Sequence, residues 1–522
     1  MGASVRTRLG TAGVAASLVL LLIVGVAGPN AARPGLGPRG WAPGDLGWHL
    51  SSAVVTALLW AAYVVGALGV LGRLLDRGRR TAGAGAAPTS ARVKAEARST
   101  VGQHAAARVA GFLLEWRVPL LLGVAALLTA PFGSADHTNY AAYGRIAAGG
   151  GDPYLTPPDQ WAAGDPVTSR VEPPWTHTVS IYGPFATALQ ALCSLVGGDN
   201  LRQTVWAWQV LVVMAWIAVR LLLRRAGADR QRVDILWTLN PLVFGIGVLG
   251  AHVDLIAGAL ALAALVVAAR SPLAAGLVGG LAVSTKVTCG IAGVALLLAW
   301  WAHQRGTFAR RAVLVVVGAL VVAVPLHVWA GPHVFDQLDR ARRSISLATP
   351  WRLLFELLTG GPLAAGTART VVTSLSVVLA VVLVVVLTRL TRPVAARTST
   401  VASTVTSTVE FTGAAARWLV VLSAAYALAA PYSLPWYDLL TWVALPLLAP
   451  GVLDVVLLVR LATMGVAYVP GRVVGMTPAV ERLTLGVRRQ LAPWLVLAVW
   501  GWLSLAAWRG SPRRPGPRPP AP

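Results

Sequence analysis

Residues 130–184 read APFGSADHTNYAAYGRIAAGGGDPYLTPPDQWAAGDPVTSRVEPPWTHTVSIYGP. The stretch is a polar island between hydrophobic segments. It holds five of the chain's 20 acids (Asp136, Asp152, Asp159, Asp165 and Glu172), with Tyr140, Tyr143, Tyr154, Trp161, Trp175 and Tyr182 interleaved among them. Carboxylates accept protons from hydroxyl groups, and aromatic rings stack on a pyranose face. The mixture suits a sugar at a membrane surface.

Outward from this island the chain is strongly apolar. Apolar residues make up 56% and charged residues 12%, about half the charged share of a soluble domain. Apolar runs recur that are long enough to cross a hydrocarbon core of about 30 Å. Candidate spans fall near 9–28, 49–72, 118–135, 178–197, 204–223, 233–250, 252–269, 271–284, 286–302, 312–330, 371–390, 415–431, 438–459 and 491–508. The short pair at 271–302 could be one broken span. The expected fold is an all-α polytopic membrane protein with about 11–14 transmembrane helices. Arg6 and Arg8 precede the first span, as in a secretory signal peptide, but its apolar run exceeds the usual length and a second span follows soon. A retained helix is expected.

A net charge of +24 invites a nucleic-acid reading. Topology explains it better. The arginines concentrate in loops such as 73–108 and 460–489, the positive-inside pattern, where basic loops meet anionic headgroups. With the N-terminus inside, span 118–135 runs outward, so Asp136 and the acidic loop lie outside. Arg305–Arg311 and Arg389–Arg397 then lie inside. If 178–197 and 204–223 both cross, Arg224, Arg225, Arg230 and Arg232 emerge outside, so one of the two is expected to be re-entrant or interfacial. Cys193 and Cys289 lie in apolar helices without zinc or redox spacing. The expected organisation is an N-terminal transmembrane hairpin with a basic cytoplasmic linker over 1–100, a larger transmembrane domain over 101–508, and a disordered Pro/Arg-rich tail over 509–522. Segments 81–100 and 391–412 read as cytoplasmic linkers rich in Ala/Gly or Thr/Ser.

Seven constellations carry candidate chemistry. Asp136 sits just past an outward helix end, and Tyr140 and Tyr143 share a helical face; the competing role for Asp136 is a helix cap. Gly151-Asp152-Pro153-Tyr154 reads as an ordered loop. Glu172, Trp175, His177 and the Tyr182-Gly183-Pro184 turn converge within a few residues, beyond what an interfacial aromatic belt requires. Asn240-Pro241-Leu242 precedes His252 and Asp254, a polar pair that is costly in an apolar hairpin unless it faces a cavity or itself. Lys286 is one of two lysines among 44 basic residues, the other being Lys94. It stands at the break between two short spans, where an ammonium snorkels or binds a phosphate. Loop 331–370 carries Arg340, Arg342, Arg343 and Arg352, a basic set for an anionic partner or a solvated helix. Pro431-Tyr432-Ser433-Leu434-Pro435-Trp436-Tyr437-Asp438 joins two spans as a belt anchor or as a wall of the site.

Taken in order, these motifs resemble the GT-C superfamily of polyprenyl-phosphate-sugar-dependent glycosyltransferases. More narrowly, they resemble the actinobacterial polyprenol-phosphomannose-dependent α-1,6-mannosyltransferase family. The resemblance runs from about 118 to 460. Asp136, Tyr140, Gly144, Asp152, Pro153 and Tyr154 fit the family's Asp followed by a Tyr- and Ala-rich segment ending in Gly-x-Asp-Pro-Tyr. Trp175 with Tyr182-Gly183-Pro184, Asn240 with His252 and Asp254, Lys286, and Leu434–Tyr437 fit the later motifs. Thr138 stands where the family often has an aromatic, and Val253 where it often has Asn.

The resemblance implies a GT-C-like bundle with its active site on an extracytoplasmic loop. It implies a polyprenyl-phosphate sugar donor, most simply of mannose, and a glycan or glycolipid acceptor. The enzyme would sit in the lipid bilayer of a bacterial plasma membrane, with no nucleic acid among its partners. The leaving phosphate needs a cation, for which Lys286 and an arginine such as Arg340 or Arg343 are candidates. The acceptor hydroxyl needs a base: Asp136 first, then His252 or Asp254. A single displacement inverts the anomeric centre, whereas a retaining route needs two carboxylates about 5 Å apart. No nucleotide-binding loop or Asp-x-Asp motif is present, so neither a nucleotide sugar nor a required metal or cofactor is expected. The competing class is a transporter or flippase of a lipid-linked glycan, which usually shows halves of matching hydropathy; none is detectable here.

Overall fold

A computed structural model describes residues 3–84, 101–336, 343–392 and 404–509. Its helices, in chain order, are α1 (Ala3–Val26), α2 (Ser52–Ala84), α3 (Val101–Leu128), α4 (Asp136–Ala148), α5 (Pro184–Gly197), α6 (Leu201–Arg225), α7 (Arg230–Thr238), α8 (Pro241–Leu249), α9 (Val253–Ala268), α10 (Pro272–Thr285), α11 (Gly290–His303), α12 (Phe308–Ala330), α13 (Pro350–Thr359), α14 (Ala365–Leu390), α15 (Thr404–Ala429), α16 (Val452–Tyr468) and α17 (Pro478–Arg509). Among the described residues the only strand-like pairing is one isolated bridge, Asn30 with Arg33.

Seven helical segments are long and apolar enough to cross a membrane: Arg6–Val26, Ser52–Arg77, Leu201–Arg225, Arg305–Ala330, Ala365–Leu390, Thr408–Ala429 and Pro478–Arg509. α7 and α8 meet at a 41° bend and make an eighth if they are one broken span. α5, α9, α10 and Val287–His303 are apolar but shorter. The protein is a polytopic all-α membrane protein, and a count of 11–14 spans is reached only if shorter helices such as these cross as well.

Several boundaries differ from the sequence reading: the helix expected over 118–135 ends at Leu128, and the one expected over 178–197 starts only at Pro184. The span expected at 438–459 is not one helix. Pro435, Pro446 and Pro450 each lack an N–H and fix φ, and the chain turns through Pro435–Asp438, Leu439–Trp442 and Leu445–Leu447 before α16 begins at Val452. Residues 404–412 of the expected second linker open α15, and residues 81–84 of the first close α2. Residues 85–100, Lys94 among them, residues 393–403 and the tail from 510 lie outside the described residues.

Lipid offers helices little hydrophobic reason to associate, so close backbone packing at small residues does the work. α1 meets α2 at Gly10 and Gly13 against Gly69: a Cβ on Gly69 would press on the Val14 and Gly10 backbone. α10 meets α12 in the same way, with Gly276 and Gly318 each leaving no room for a Cβ against the partner backbone. α9 runs through the centre with Leu255, Ala257, Ala261, Leu262 and Leu265 all buried, as a helix apolar on all sides requires. Buried ion pairs tie the rest. Arg232 grips Asp454 through two 2.7 Å bonds, and Arg460 holds Asp438 at 3.0 Å.

Candidate active site

The turn after α3 is pinned by Phe132 N–H on Leu249 O (2.9 Å) and Gly133 N–H on Ala32 O (2.8 Å). Asp136 follows as the first residue of α4. It does not cap that helix: Ala135 occupies the cap position, and no side chain accepts there. Instead Asp136 is buried at 6% exposure, with Oδ2 standing 3.5 Å from Nδ1 of His252. Burial pushes its carboxyl up to about 7, the charge of Asp254 adds to the rise, and Lys286 opposes it.

His252 reaches this position through an unusual backbone. Leu239 N–H bonds back five residues to Asp234 O (2.8 Å), and His252 N–H bonds five back to Gly247 O (3.2 Å). Such wide turns are rare and recur at functional sites. Between them Asn240 caps α8, accepting from Leu242 N–H at 3.1 Å, so its role is local. Ala251 then takes a left-handed conformation, φ 53°, which costs a residue with a Cβ about 1–2 kcal/mol. Strain of this kind clusters at binding and catalytic sites. Here it turns His252 off the end of α8 and onto Trp436, with ring centroids 3.7 Å apart and planes 15° from parallel.

Lys286 ends α10, and its ammonium pairs with Asp254 of α9. The same ammonium lies 4.1 Å from the centroid of the Tyr437 ring. The Tyr182-Gly183-Pro184 turn explains how α5 and α10 meet. Gly183 N–H donates to Thr285 O at 3.0 Å, and a Cβ at 183 would collide with Ser284 O. Pro184 then opens α5, where its missing N–H costs nothing.

These pieces enclose one aromatic cavity of about 470 Å³, part of it open to solvent. Asp136, Tyr143, Trp175, Tyr182, Lys286, Trp436 and Tyr437 all line it. Tyr140 lies just beneath, edge-on to Tyr182 at 5.0 Å and tilted against Trp208 at 5.2 Å. Tyr143 is fixed by its hydroxyl donating to Thr178 O at 2.8 Å. Asn139 and Tyr432, inside motifs that the sequence singles out, join the lining. So do Leu434, from the motif at 434–437, and Thr178, Val179 and Ile181, which carry no signal of their own. Asp254 lines a second cavity on the far side of Lys286 and Tyr437, with Ser423 and Tyr426. A third opens behind His252 and Trp436, walled by Tyr63, Phe132, Ile246 and Tyr468.

The other sequence candidates lie elsewhere. The Glu172 carboxylate is taken by Arg472 in a two-pronged pair at 2.6 and 2.8 Å, and Arg472 also donates to Asn30 O and Arg33 O. His177 is largely exposed and pairs with Asp159 at 2.7 Å. Asp152 accepts from Tyr154 N–H at 2.8 Å, and the Tyr154 hydroxyl meets Thr187 at 2.7 Å. Arg343 is exposed and lines none of these three cavities. Arg340 and Arg342 lie outside the described residues. Asp165 organises the loop. Burial alone would raise its carboxyl, but bonds from Thr168 N–H, Arg145 and Val167 N–H take it below its ordinary value. Among the described residues no three His, Cys, Asp or Glu side chains gather as a metal would need.

The fold and the cavity define a class: a multi-pass helical membrane protein with a buried carboxylate and a lone lysine on one aromatic pocket. Residues 8–303 match the family model described as alpha-(1->6)-mannopyranosyltransferase, N-terminal domain, and the chain belongs to that family. It is similar to alpha-(1->6)-mannopyranosyltransferase A of Mycobacterium tuberculosis, 27% identical over 221 residues, which is 41% of each chain. It is also similar to alpha-(1->6)-mannopyranosyltransferase B of Corynebacterium glutamicum, 31% identical over 133 residues, 24% of this chain and 21% of that one. The aligned stretches thus span about two fifths and one fifth of those relatives. No solved structure matches.

Proposed function

We propose that the protein transfers a mannosyl unit from a polyprenyl-phosphate donor to a glycan or glycolipid acceptor, with inversion, on the outer side of a bacterial plasma membrane. The observation that carries this reading is that Asp136 and Lys286 line the same aromatic cavity. Asp136 is the base. It takes the proton of the acceptor hydroxyl as that oxygen bonds to the anomeric carbon. The bond from that carbon to the phosphate oxygen breaks, and its electron pair leaves with the polyprenyl phosphate. Lys286 supplies the positive charge that the departing phosphate needs. Forming an α linkage by inversion requires a donor of β configuration.

His252 and Asp254 act through these two groups. His252, held flat by Trp436, orients Asp136. Asp254 holds Lys286 and keeps the ammonium off the bilayer. Tyr143, Trp175, Tyr182 and Tyr437 offer faces and edges to the sugar, as ligand sites usually do. Orientation follows from the positive charge of loops 73–108 and 305–311; loop 460–489, expected on the same side, lies instead with the acidic loop, because its Arg472 pairs with Glu172. α5, of 14 residues, is about 21 Å long and short for the hydrocarbon core. It is our choice for the helix that does not cross, which keeps Arg224, Arg225, Arg230 and Arg232 inside.

The test is transfer of labelled mannose from polyprenyl-phosphate-mannose by the purified chain in detergent, with the new anomeric centre read by NMR. Transfer with inversion supports the proposal. A retained configuration removes the single displacement, and no transfer from that donor removes the donor class.

A further inference from the structure

Asp136, Tyr140, Tyr143 and Ala147 recur at helical spacing along one face of α4. The first and third line the aromatic cavity. Ala147, one turn beyond Tyr143, lines a different cavity at the other end of the helix. That cavity encloses about 750 Å³, part of it open to solvent, and is walled by Ala147, Gly150, Gly151, Asp152, Thr187 and Trp329. Tyr143 and Ala147 are about 6 Å apart along the axis. The two cavities also share a loop: Ser180 N–H donates to Pro153 O at 2.8 Å, joining the segment that carries Thr178 and Tyr182 to the wall beside Asp152.

The chemistry of this second cavity is distinct. Trp329, at the last turn of α12, is 56% exposed and presents a flat apolar surface. Asp152 spends Oδ1 on Tyr154 N–H, and among the described residues Oδ2 has no hydrogen-bond partner. Gly150 has nothing within 4 Å of where a Cβ would stand, so the wall there is open space, while the Gly150 and Gly151 N–H groups are held by Ala147 O and Ile146 O. A stacking ring, a carboxylate oxygen and open room beside Gly150, without a cation on the wall, fit a neutral polyhydroxylated chain better than an anion or a lipid tail.

We infer that this cavity is a distal subsite for the acceptor glycan, holding sugar units several residues behind the one that reacts at Asp136. The inference rests on the glycan-transfer reading above and adds a place where the chain beyond the reacting sugar is gripped. A second point of attachment raises the affinity of long acceptors and leaves short ones untouched.

The experiment compares a synthetic α-1,6-linked mannose disaccharide with the corresponding octasaccharide, using the full chain in detergent. Trp329→Ala should raise the octasaccharide KM about tenfold, the loss of one well-packed contact, with disaccharide KM and both kcat values unchanged. Trp329→Phe should restore most of the preference. Ala147→Trp, which fills the cavity from the opposite wall, should mimic Trp329→Ala. Binding of the octasaccharide without donor, followed by saturation-transfer NMR, should weaken in Trp329→Ala and persist in Asp136→Asn. If the wild type transfers no mannose while this Trp329-dependent binding remains, the transfer reading fails and the subsite stands. Equal KM changes for both acceptor lengths mark Trp329 as a membrane-belt or structural residue and overturn the subsite, as does octasaccharide binding indifferent to Trp329→Ala and Ala147→Trp.

Discussion

His252 lies flat on Trp436, centroids 3.7 Å apart, and its Nδ1 stands 3.5 Å from Oδ2 of Asp136. The stack sets the imidazole plane beside the carboxylate, and the proposed role of His252 is to position it. Trp436→Ala should lower turnover about tenfold or more and, as a buried aromatic truncation, cost about 3–5 kcal/mol of stability. Trp436→Phe keeps a ring under His252 and should hold stability while recovering most turnover. Thermal unfolding and kcat measured on both variants check the pair. Turnover that falls only in proportion to folded protein would deny the stack a positioning role.

Asp254 and Lys286 make a separate prediction. Lys286→Ala should raise the donor KM strongly. Lys286→Arg should recover only part of it, because a planar guanidinium is not a compact ammonium. Asp254→Asn should also raise donor KM, since the ammonium loses its anchor, with a smaller effect on kcat. If Asp254→Asn instead abolishes kcat at unchanged donor KM, Asp254 is the base and the assignment to Asp136 moves.

The pH dependence follows from the carboxyl of Asp136, pushed up to about 7 chiefly by burial. The base must be ionised, so kcat/KM should climb with pH through that value in the free enzyme. Lys286 lowers this value, and Lys286→Ala should move the acid limb to higher pH. Stability runs the other way. The folded state keeps a proton that the unfolded chain releases above about 4, so the contribution of Asp136 is full below that pH and is lost as pH rises toward 7. Asp136→Asn should flatten that slope in an unfolding series. A limb that stays near pH 4 to 5 would contradict the assignment.

Glu172 should behave as structure. Glu172→Ala leaves Arg472, only 9% exposed, without its carboxylate, a loss of about 3 kcal/mol for a largely buried pair. Lower unfolding temperature with near-normal kcat in the surviving protein is the expected result. A normal unfolding temperature with lost turnover would return Glu172 to the site.

The helical membrane architecture was legible because apolar runs need only composition and length to be read. The centre of the candidate site was legible for a related reason. Asp136, His252, Asp254 and Lys286 are polar groups where lipid tolerates few, and each needs a partner that the fold then supplies. What stayed hidden depends on pairs far apart in the chain. Nothing near Glu172 announces Arg472, 300 residues away, so its acid reads as a ligand for sugar. The proposed division of labour between Asp136 and Asp254 turns on which of them meets Lys286, and that depends on how α9 and α10 pack. The turns between Pro435 and Val452 hide inside an apolar run because hydropathy is blind to proline.

The central claim is that Asp136 is the base for the acceptor hydroxyl. Asp136→Asn keeps the shape of the side chain and removes its basicity. Single-turnover transfer of labelled mannose, with donor binding measured alongside, tests it directly. The account predicts turnover lower by about 10²- to 10⁴-fold, the usual worth of a general base, with donor binding retained. Turnover near the wild-type value in a folded Asp136→Asn protein would contradict it.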